Sequence, residues 1–202
     1  MIMSAMSKSI SIGYISQPIE AYALTIALFL CAALPHIFYY VVWTNPKRYQ
    51  SLIQKAFAHK VHPVDAFAST ASAFKLIQLI ALITWTILVL GYPIPLPQIE
   101  FMIAGSALLV IGQVLNVSIY TAIGKAGVYY GVRLGKSVPW CSGFPFNVVS
   151  HPQYVGSVLT VWAVLLPLWS SARGNPLQSV ITWLIPFWTC LYVFSAFVEE
   201  WM

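Results

Sequence analysis

Charged side chains are scarce in this sequence: only 7% of its 202 residues are Asp, Glu, Lys or Arg, whereas 59% are hydrophobic. The mean hydropathy is +0.80. A water-soluble fold of this length cannot enclose so large an apolar fraction in one core. The sequence therefore predicts an integral membrane protein and excludes a catalytic domain outside the membrane.

Paired cysteines and linkers are also missing. Cys31, Cys141 and Cys190 are isolated and show neither zinc-ligand nor disulfide-framework spacing. No low-complexity stretch or internal repeat divides the chain. We therefore expect one membrane domain over 1–202 and no metal.

The sequence contains several long apolar runs that could form transmembrane helices. A helix needs about 20 apolar residues to cross a hydrocarbon core of roughly 30 Å. The candidate spans are 21–43, 71–90, 101–122, 155–169 and 180–198. Because the fourth is short, it is either a full span or half of a tight hairpin with the fifth. The predicted fold is all-α and polytopic, with four to five transmembrane helices, an N-terminal tail at 1–20 and a loop at 123–150.

The few basic residues lie mostly on one side of these spans. If all five segments cross, eight of the ten Lys and Arg residues share a side: Lys47, Arg48, Lys55, Lys60, Lys75, Lys125, Arg133 and Lys136. The positive-inside rule makes that side cytoplasmic. Such juxtamembrane charges favour anionic lipid headgroups as partners over nucleic acid.

Three constellations on that side could carry chemistry. The first contains Gly124, Gly127, Gly131 and Gly135. Glycines admit a ligand close to the backbone, although small residues at such intervals also mark close helix packing in membranes. The segment is not a dinucleotide fingerprint, because an apolar helix and not a strand precedes it.

The second constellation is a polar corner before the fourth span. Pro145 and Pro152 flank it, so its backbone is irregular near the membrane surface, where such backbone lines a cavity. His151 is either a base near neutral pH or an interfacial histidine. Tyr154 is either a pocket residue or an interfacial aromatic side chain.

The third constellation is the carboxylate pair Glu199 and Glu200, which ends an otherwise uncharged apolar segment. Acidic residues at a helix C-terminus oppose the helix dipole, so the pair favours recognition of a cation. A cation used on lipids at a membrane surface is S-adenosylmethionine. Its sulfonium and amino groups favour carboxylates and aromatic faces.

The order of these motifs carries a family resemblance. The sequence has G-x-A-G-x-x-x-G from Gly124, F-P-F-N from Phe144, P-x-Y-x-G-S from Pro152 and E-E from Glu199. Together, over roughly 104–200, they resemble the phospholipid N-methyltransferases. These membrane enzymes methylate phosphatidylethanolamine or its monomethyl and dimethyl forms to make phosphatidylcholine.

The resemblance implies roles for particular residues. It assigns S-adenosylmethionine binding to Gly124, Ala126, Gly127, Glu199 and Glu200. It also implies an endoplasmic reticulum membrane in a eukaryote, with a mitochondrial membrane as the alternative.

Substrate residues follow from the same resemblance. Asn147, Pro152 and Tyr154 would shape the pocket wall. The headgroup amine must lose its proton before it attacks, and His151, Tyr154 or a glutamate could accept that proton. The lipid phosphate has three candidate ligands, namely Lys125, Arg133 and Lys136.

Two other hypotheses stay open. The H-P-x-Y-x-G portion is shared with isoprenylcysteine carboxyl methyltransferases, which act on a lipidated substrate. A channel or membrane scaffold is the non-enzymatic alternative, although only Gln78, Gln113 and Asn116 offer polar groups within the spans for lining a pathway.

Overall fold

The polypeptide forms five long helices with one short helix across one end of the bundle. A computed structural model describes residues 18–91 and 93–202, so most of the predicted tail at 1–20 lies outside the described residues. The elements are α1 (Pro18–Thr44), α2 (Pro46–Ala56), α3 (Pro63–Trp85) with a π-helical turn (Thr86–Leu90), α4 (Ile99–Val128), α5 (Pro152–Ser171) and α6 (Gln178–Trp201). Within the described ranges all regular structure is helical, which confirms the predicted fold class.

All five long helices are apolar and long enough to cross a membrane. Of the predicted four to five spans, the structure therefore supports five. All five begin earlier than their hydropathy indicated. Pro152 starts α5 and Pro63 starts α3, each in the first turn, where a missing backbone N–H costs nothing. The His62 ring also caps α3 by accepting a hydrogen bond from the Val64 N–H at 3.2 Å.

Close packing of α4 on α5 depends on glycines outside the predicted glycine motif. A Cβ atom on Gly112 would lie 2.8 Å from the Gly156 carbonyl, and one on Gly105 would lie 2.7 Å from the Ala163 carbonyl. Small residues allow such backbone approach between membrane helices. On the other side of the bundle α3 packs against α1, and α3 and α4 make no extensive contact with each other.

Contacts between distant segments define one polar end of the bundle. Lys125 pairs with Asp65 at 2.6 Å, and the Arg133 guanidinium donates to the Trp43 carbonyl at 3.2 Å. The Gln50 amide of α2 donates to the Arg133 carbonyl at 2.9 Å. The connection between the first and second spans and the connection between the third and fourth spans therefore lie at the same end of the bundle, as the charge pattern predicted. Assignment of that end to the cytoplasm stays a prediction.

The connection between the third and fourth spans is shorter than the predicted loop at 123–150. Helix α4 is interrupted at Gly124, which has φ 66° and ψ −179°, and then continues to Val128. A glycine can break the helix at this point because few other residues adopt that backbone conformation. One more helical turn follows before the chain leaves α4.

Candidate active site

The centre of the candidate site is a hydrogen bond between α5 and α6. The Tyr154 hydroxyl, in the first turn of α5, donates to the Glu199 carboxylate in the last turn of α6. Glu199 is half-buried. A hydroxyl that donates to a carboxylate fixes its orientation and stabilises its charge. The structure thus brings together one predicted pocket residue and one predicted cofactor ligand.

Tyr130 lies beside this pair, just after α4. Burial first, and then the neighbouring Glu199 carboxylate, raise the pKa of the Tyr130 hydroxyl well above its usual value. The hydroxyl therefore keeps its proton at physiological pH and faces Glu199 as a donor.

Arg133 is held on the polar end by aromatic packing. Its guanidinium carbon lies 3.8 Å from the centroid of the Trp43 ring, and that ring packs edge-on to Tyr130 at 4.9 Å. Arg133 is also close enough to act electrostatically on Glu199. Stacking on Trp43 anchors the positive charge beside the carboxylate without an ion pair to it.

The second glutamate has a different environment. Glu200 is exposed, and its Oε2 atom lies 3.6 Å from Nε2 of His151. This separation suits an ion pair when the imidazole is protonated. His151 is only partly exposed and precedes α5 directly. The two predicted proton acceptors, His151 and Tyr154, therefore each lie next to a different member of the carboxylate pair.

Gly124 and Gly127 of the predicted glycine motif lie in the last part of α4, and neither packs against another helix, whereas Gly131 and Gly135 follow the helix. A Cβ atom on Gly124 would have no atom within 4 Å, whereas one on Gly127 would meet the Ile123 side chain of the same helix. No hydrogen bond joins Gly124, Ala126 or Gly127 to either glutamate in the described part of the chain. Their role in cofactor binding stays a prediction, and Tyr130 is the residue that links this segment to Glu199.

Two predicted pocket residues differ in burial. Pro152 is fully buried at the start of α5, where it fixes the direction of that helix. Asn147 is exposed in the turn formed by 143–149, and its backbone N–H bonds to the Gly143 carbonyl at 3.2 Å. The assignment of Asn147 to the pocket wall stays a prediction.

A large cavity lies between α3, α4, α5 and α6, deeper in the bundle than the carboxylates. Its volume is about 640 Å³. Exposed apolar side chains on three of the helices form its rim: Leu79, Val117 and Val164. Since α3 and α4 do not pack closely here, the cavity opens sideways toward the hydrocarbon region. Its polar lining includes Gln78, Gln113 and Asn116, the three residues that the channel hypothesis singled out.

A narrow space of about 20 Å³ adjoins this cavity and is lined by the tyrosines beside Glu199. Such a volume holds about one water molecule. Tyr130 and Tyr154 line it on one side, and it shares four lining residues with the large cavity: Lys75, Gln153, Ser157 and Tyr192. We call this space the passage.

The polar end has the chemistry that S-adenosylmethionine requires. A sulfonium cation with an amino group needs negative charge, aromatic faces and an approach free of side chains. Glu199 and Glu200 supply the charge, Tyr130 and Tyr154 supply the rings, and Gly124 leaves its surroundings open. The residues present therefore fit this methyl donor.

Comparison with known proteins identifies the family. Residues 101–202 match the family described as Phospholipid methyltransferase. A phosphatidyl-N-methylethanolamine N-methyltransferase of Arabidopsis thaliana is 35% identical over 167 residues, which cover 83% of this chain and 87% of the relative. The chain belongs to the phospholipid methyltransferase family. The resemblance seen in its motifs is thereby confirmed.

Two further members of the phospholipid methyltransferase family match shorter regions, and both carry the same name as the plant relative. The protein of Emericella nidulans is 41% identical over 66 residues, 32% of each chain. That of Saccharomyces cerevisiae is 33% identical over 87 residues, 41% of this chain and 38% of the relative. No solved structure matches. These findings do not favour the prenylcysteine alternative.

Several residues near the site escaped the sequence analysis. The sequence gives no signal that singles out Tyr130 or Tyr192, because aromatic residues are common throughout the chain. His36 is buried in α1 and bonds to Ser195 of α6 at 2.8 Å, and a histidine inside an apolar span was a signal for it. Lys75 lies inside the second span, as predicted, but its place on the wall of the large cavity was not predicted.

Proposed function

We propose that this phospholipid methyltransferase transfers methyl groups from S-adenosylmethionine to the amine of phosphatidyl-N-methylethanolamine and its dimethyl form, giving phosphatidylcholine. The observation that supports the proposal is that Tyr154, which donates to Glu199, lines the passage, and that the passage shares wall residues with the large cavity. A water-soluble donor and a lipid amine can thus approach one point from opposite sides. The printed names of three relatives support the choice of lipid.

Glu199 and Glu200 would hold the cationic end of the donor, with Gly124, Ala126 and Gly127 leaving room for the rest. When bound, S-adenosylmethionine supplies a methyl group on a positively charged sulfonium, and transfer of that methyl to an amine leaves neutral S-adenosylhomocysteine. Tyr154 keeps Glu199 oriented toward the donor through its hydrogen bond. Such preorganisation is the main help that a protein can give to this reaction.

The lipid amine must arrive without its proton, because a protonated amine has no lone pair. Movement from the large cavity into the passage removes water from the headgroup, and loss of water disfavours the charged form. Gln153, Ser157 and Tyr192 line the route and offer polar contacts to the neutral amine. The narrow passage therefore favours the reactive form.

Tyr154 and Glu199 would take up the proton. The amine proton passes to the Tyr154 hydroxyl oxygen while that hydroxyl gives its own proton to Glu199, along the hydrogen bond already formed. His151, which is close enough to act electrostatically on Glu199 and lies beside Glu200, would receive the proton from Glu199 and release it to water. This relay assigns different tasks to the three candidate acceptors.

We propose that the polar end faces the cytosol, because most basic residues lie there. We propose the endoplasmic reticulum as the host membrane on the family resemblance alone. S-adenosylmethionine would then enter from the cytosol.

The test is methyl transfer by purified protein in detergent micelles. Labelled S-adenosylmethionine is supplied with phosphatidylethanolamine, its monomethyl form or its dimethyl form, and the lipids are separated by chromatography. We expect label in phosphatidylcholine from the two methylated substrates. A folded, donor-binding protein that labels none of the lipids would overturn the proposal, and labelling of phosphatidylethanolamine would extend it to the first step.

A further inference from the structure

Lys75 is a positive charge in the middle of a membrane helix. It lies twelve residues after Pro63 and fifteen before Leu90, the two ends of the second span. At 1.5 Å per residue, it is roughly 18 Å along the helix from the nearer end. Its side chain is exposed on the helix and lines the large cavity, and a lysine within a membrane span is favoured where a polar cavity or a ligand receives its ammonium group.

The surroundings of Lys75 supply no compensating charge. In the described ranges of the chain, no carboxylate lies within ion-pair distance of its ammonium group. Among the described residues that line the large cavity it is the one charged side chain, since the other polar members are neutral. The cavity therefore carries a net positive charge inside an apolar wall.

Two of the neutral polar side chains in the cavity already form hydrogen bonds within the protein. Gln113 donates to the Thr160 hydroxyl at 3.0 Å, and the buried Gln78 donates to the Ala32 carbonyl at 3.0 Å. These bonds hold the polar wall in place and leave the Lys75 ammonium as the unpaired donor. An anionic group with an apolar body is the ligand that complements such a site.

We infer that Lys75 binds the phosphodiester of the substrate phospholipid, which enters between α3 and α4 with its acyl chains along the exposed rim of the cavity. Lys75 lines both the cavity and the passage. Because ethanolamine separates phosphate from amine by only two carbons, a phosphate at Lys75 brings the amine into the passage beside Tyr154. The inference rests on the proposed function for the identity of the lipid.

This assignment differs from the expectation that Lys125, Arg133 or Lys136 holds the phosphate. Lys125 is paired with Asp65 at 2.6 Å, and Arg133 is stacked on Trp43. Lys136 also approaches Asp65, at 3.9 Å. Each of these cations already has a partner at the polar end, whereas Lys75 lies on the route of the lipid.

The first test is lipid kinetics with Lys75→Gln, Lys75→Arg and the control Lys60→Gln, which changes an exposed lysine outside the cavity. Loss of a charge-assisted bond should raise the apparent KM for the lipid, as mole fraction in micelles, roughly ten-fold. We expect kcat and the Kd of S-adenosylmethionine to change less than two-fold. Lys75→Arg should recover most of the loss, and Lys60→Gln should match the wild type.

The second test reads lipid binding without turnover. A fluorescent phosphatidylcholine and a fluorescent diacylglycerol, which lacks the phosphate, are titrated into each folded variant. Lys75→Gln should weaken binding of the phospholipid about ten-fold and leave diacylglycerol unchanged. Equal binding of phosphatidylcholine by wild type and Lys75→Gln would overturn the inference. An inactive wild type that still shows this difference would contradict the proposed function and leave the Lys75 site supported.

Discussion

The Tyr154 hydroxyl donates a hydrogen bond to the Glu199 carboxylate, and so joins the first turn of α5 to the last turn of α6 across 45 residues of sequence. One end of this bond faces the passage, and the other belongs to the carboxylate pair. The bond therefore lies where the methyl donor and the lipid amine would meet.

Tyr154→Phe keeps the ring and removes the hydroxyl. If the hydroxyl relays the amine proton, kcat should fall roughly 100-fold, a typical loss for a general acid or base. The Kd of S-adenosylmethionine should change only a few-fold, because Glu199 stays in place. Initial rates and equilibrium binding in detergent measure the two effects. Tyr22→Phe is the control, since Tyr22 is 70% exposed near the start of α1. A kcat for Tyr154→Phe within two-fold of wild type would argue against the relay.

Glu199→Gln and Glu200→Gln should differ in their effects on the methyl donor. Glu199 is half-buried and hydrogen-bonded, so loss of its charge should weaken donor binding roughly 10- to 100-fold. Glu200 is 58% exposed, and water and salt screen its charge, so its loss should cost less than about ten-fold. Titration with labelled S-adenosylmethionine distinguishes them. A larger effect for Glu200 would reverse the assignment of the two carboxylates.

Gly124→Ala tests the interruption in α4. The Gly124 backbone, with φ 66° and ψ −179°, lies in a region that is nearly restricted to glycine. Since an added Cβ would meet no atom within 4 Å, the cost is conformational and amounts to about 1–3 kcal/mol. We expect a lower melting temperature and weaker donor binding. Gly143→Ala is the matched control, because Gly143 has open space without a positive φ. Equal melting temperatures for the two variants would contradict the prediction.

Tyr49→Phe should stabilise the fold. In the described part of the chain, the buried Tyr49 hydroxyl has no hydrogen-bond partner, while its ring packs against Phe38 and Phe67. Removal of an unpaired buried hydroxyl should raise the free energy of unfolding by about 1 kcal/mol. Melting temperatures from intrinsic fluorescence measure this change, and a clear decrease would mean that the hydroxyl is bonded.

The difference in stability between Tyr49→Phe and the wild type should be largest at alkaline pH. Burial raises the pKa of Tyr49 from 10.0 to about 12, so folding favours the neutral hydroxyl. The stability that this group contributes is therefore complete below pH 10 and is lost as the pH rises toward 12. The melting temperature of the wild type should fall relative to Tyr49→Phe across that interval. A constant difference between the two proteins would contradict the raised pKa.

Much of the site was predictable because its signals are local. The proline at the start of α5, the tyrosine two residues later and the terminal carboxylates can be read from short motifs, and topology places them at one end. The role of Lys75 was not predictable, for a physical reason. Its place inside the second span can be read from hydropathy, but the groups that its side chain meets depend on how α3 packs against the other helices. Hydropathy also places the start of α3 too late, because Pro63 and the capping His62 begin the helix before the apolar run.

The class of protein and its spans could be predicted from the sequence, because hydrocarbon requires long apolar helices that satisfy their own backbone hydrogen bonds. The order of its motifs also indicated the family. Which tyrosine donates to which glutamate, and that Lys75, Gln113 and Asn116 line one cavity, became known only from the folded arrangement. These relationships depend on how the helices pack. Glycines allow α4 to pack closely on α5, while α3 packs on α1. The space between α3 and α4 results from these two packing arrangements together, so no single sequence segment predicts it.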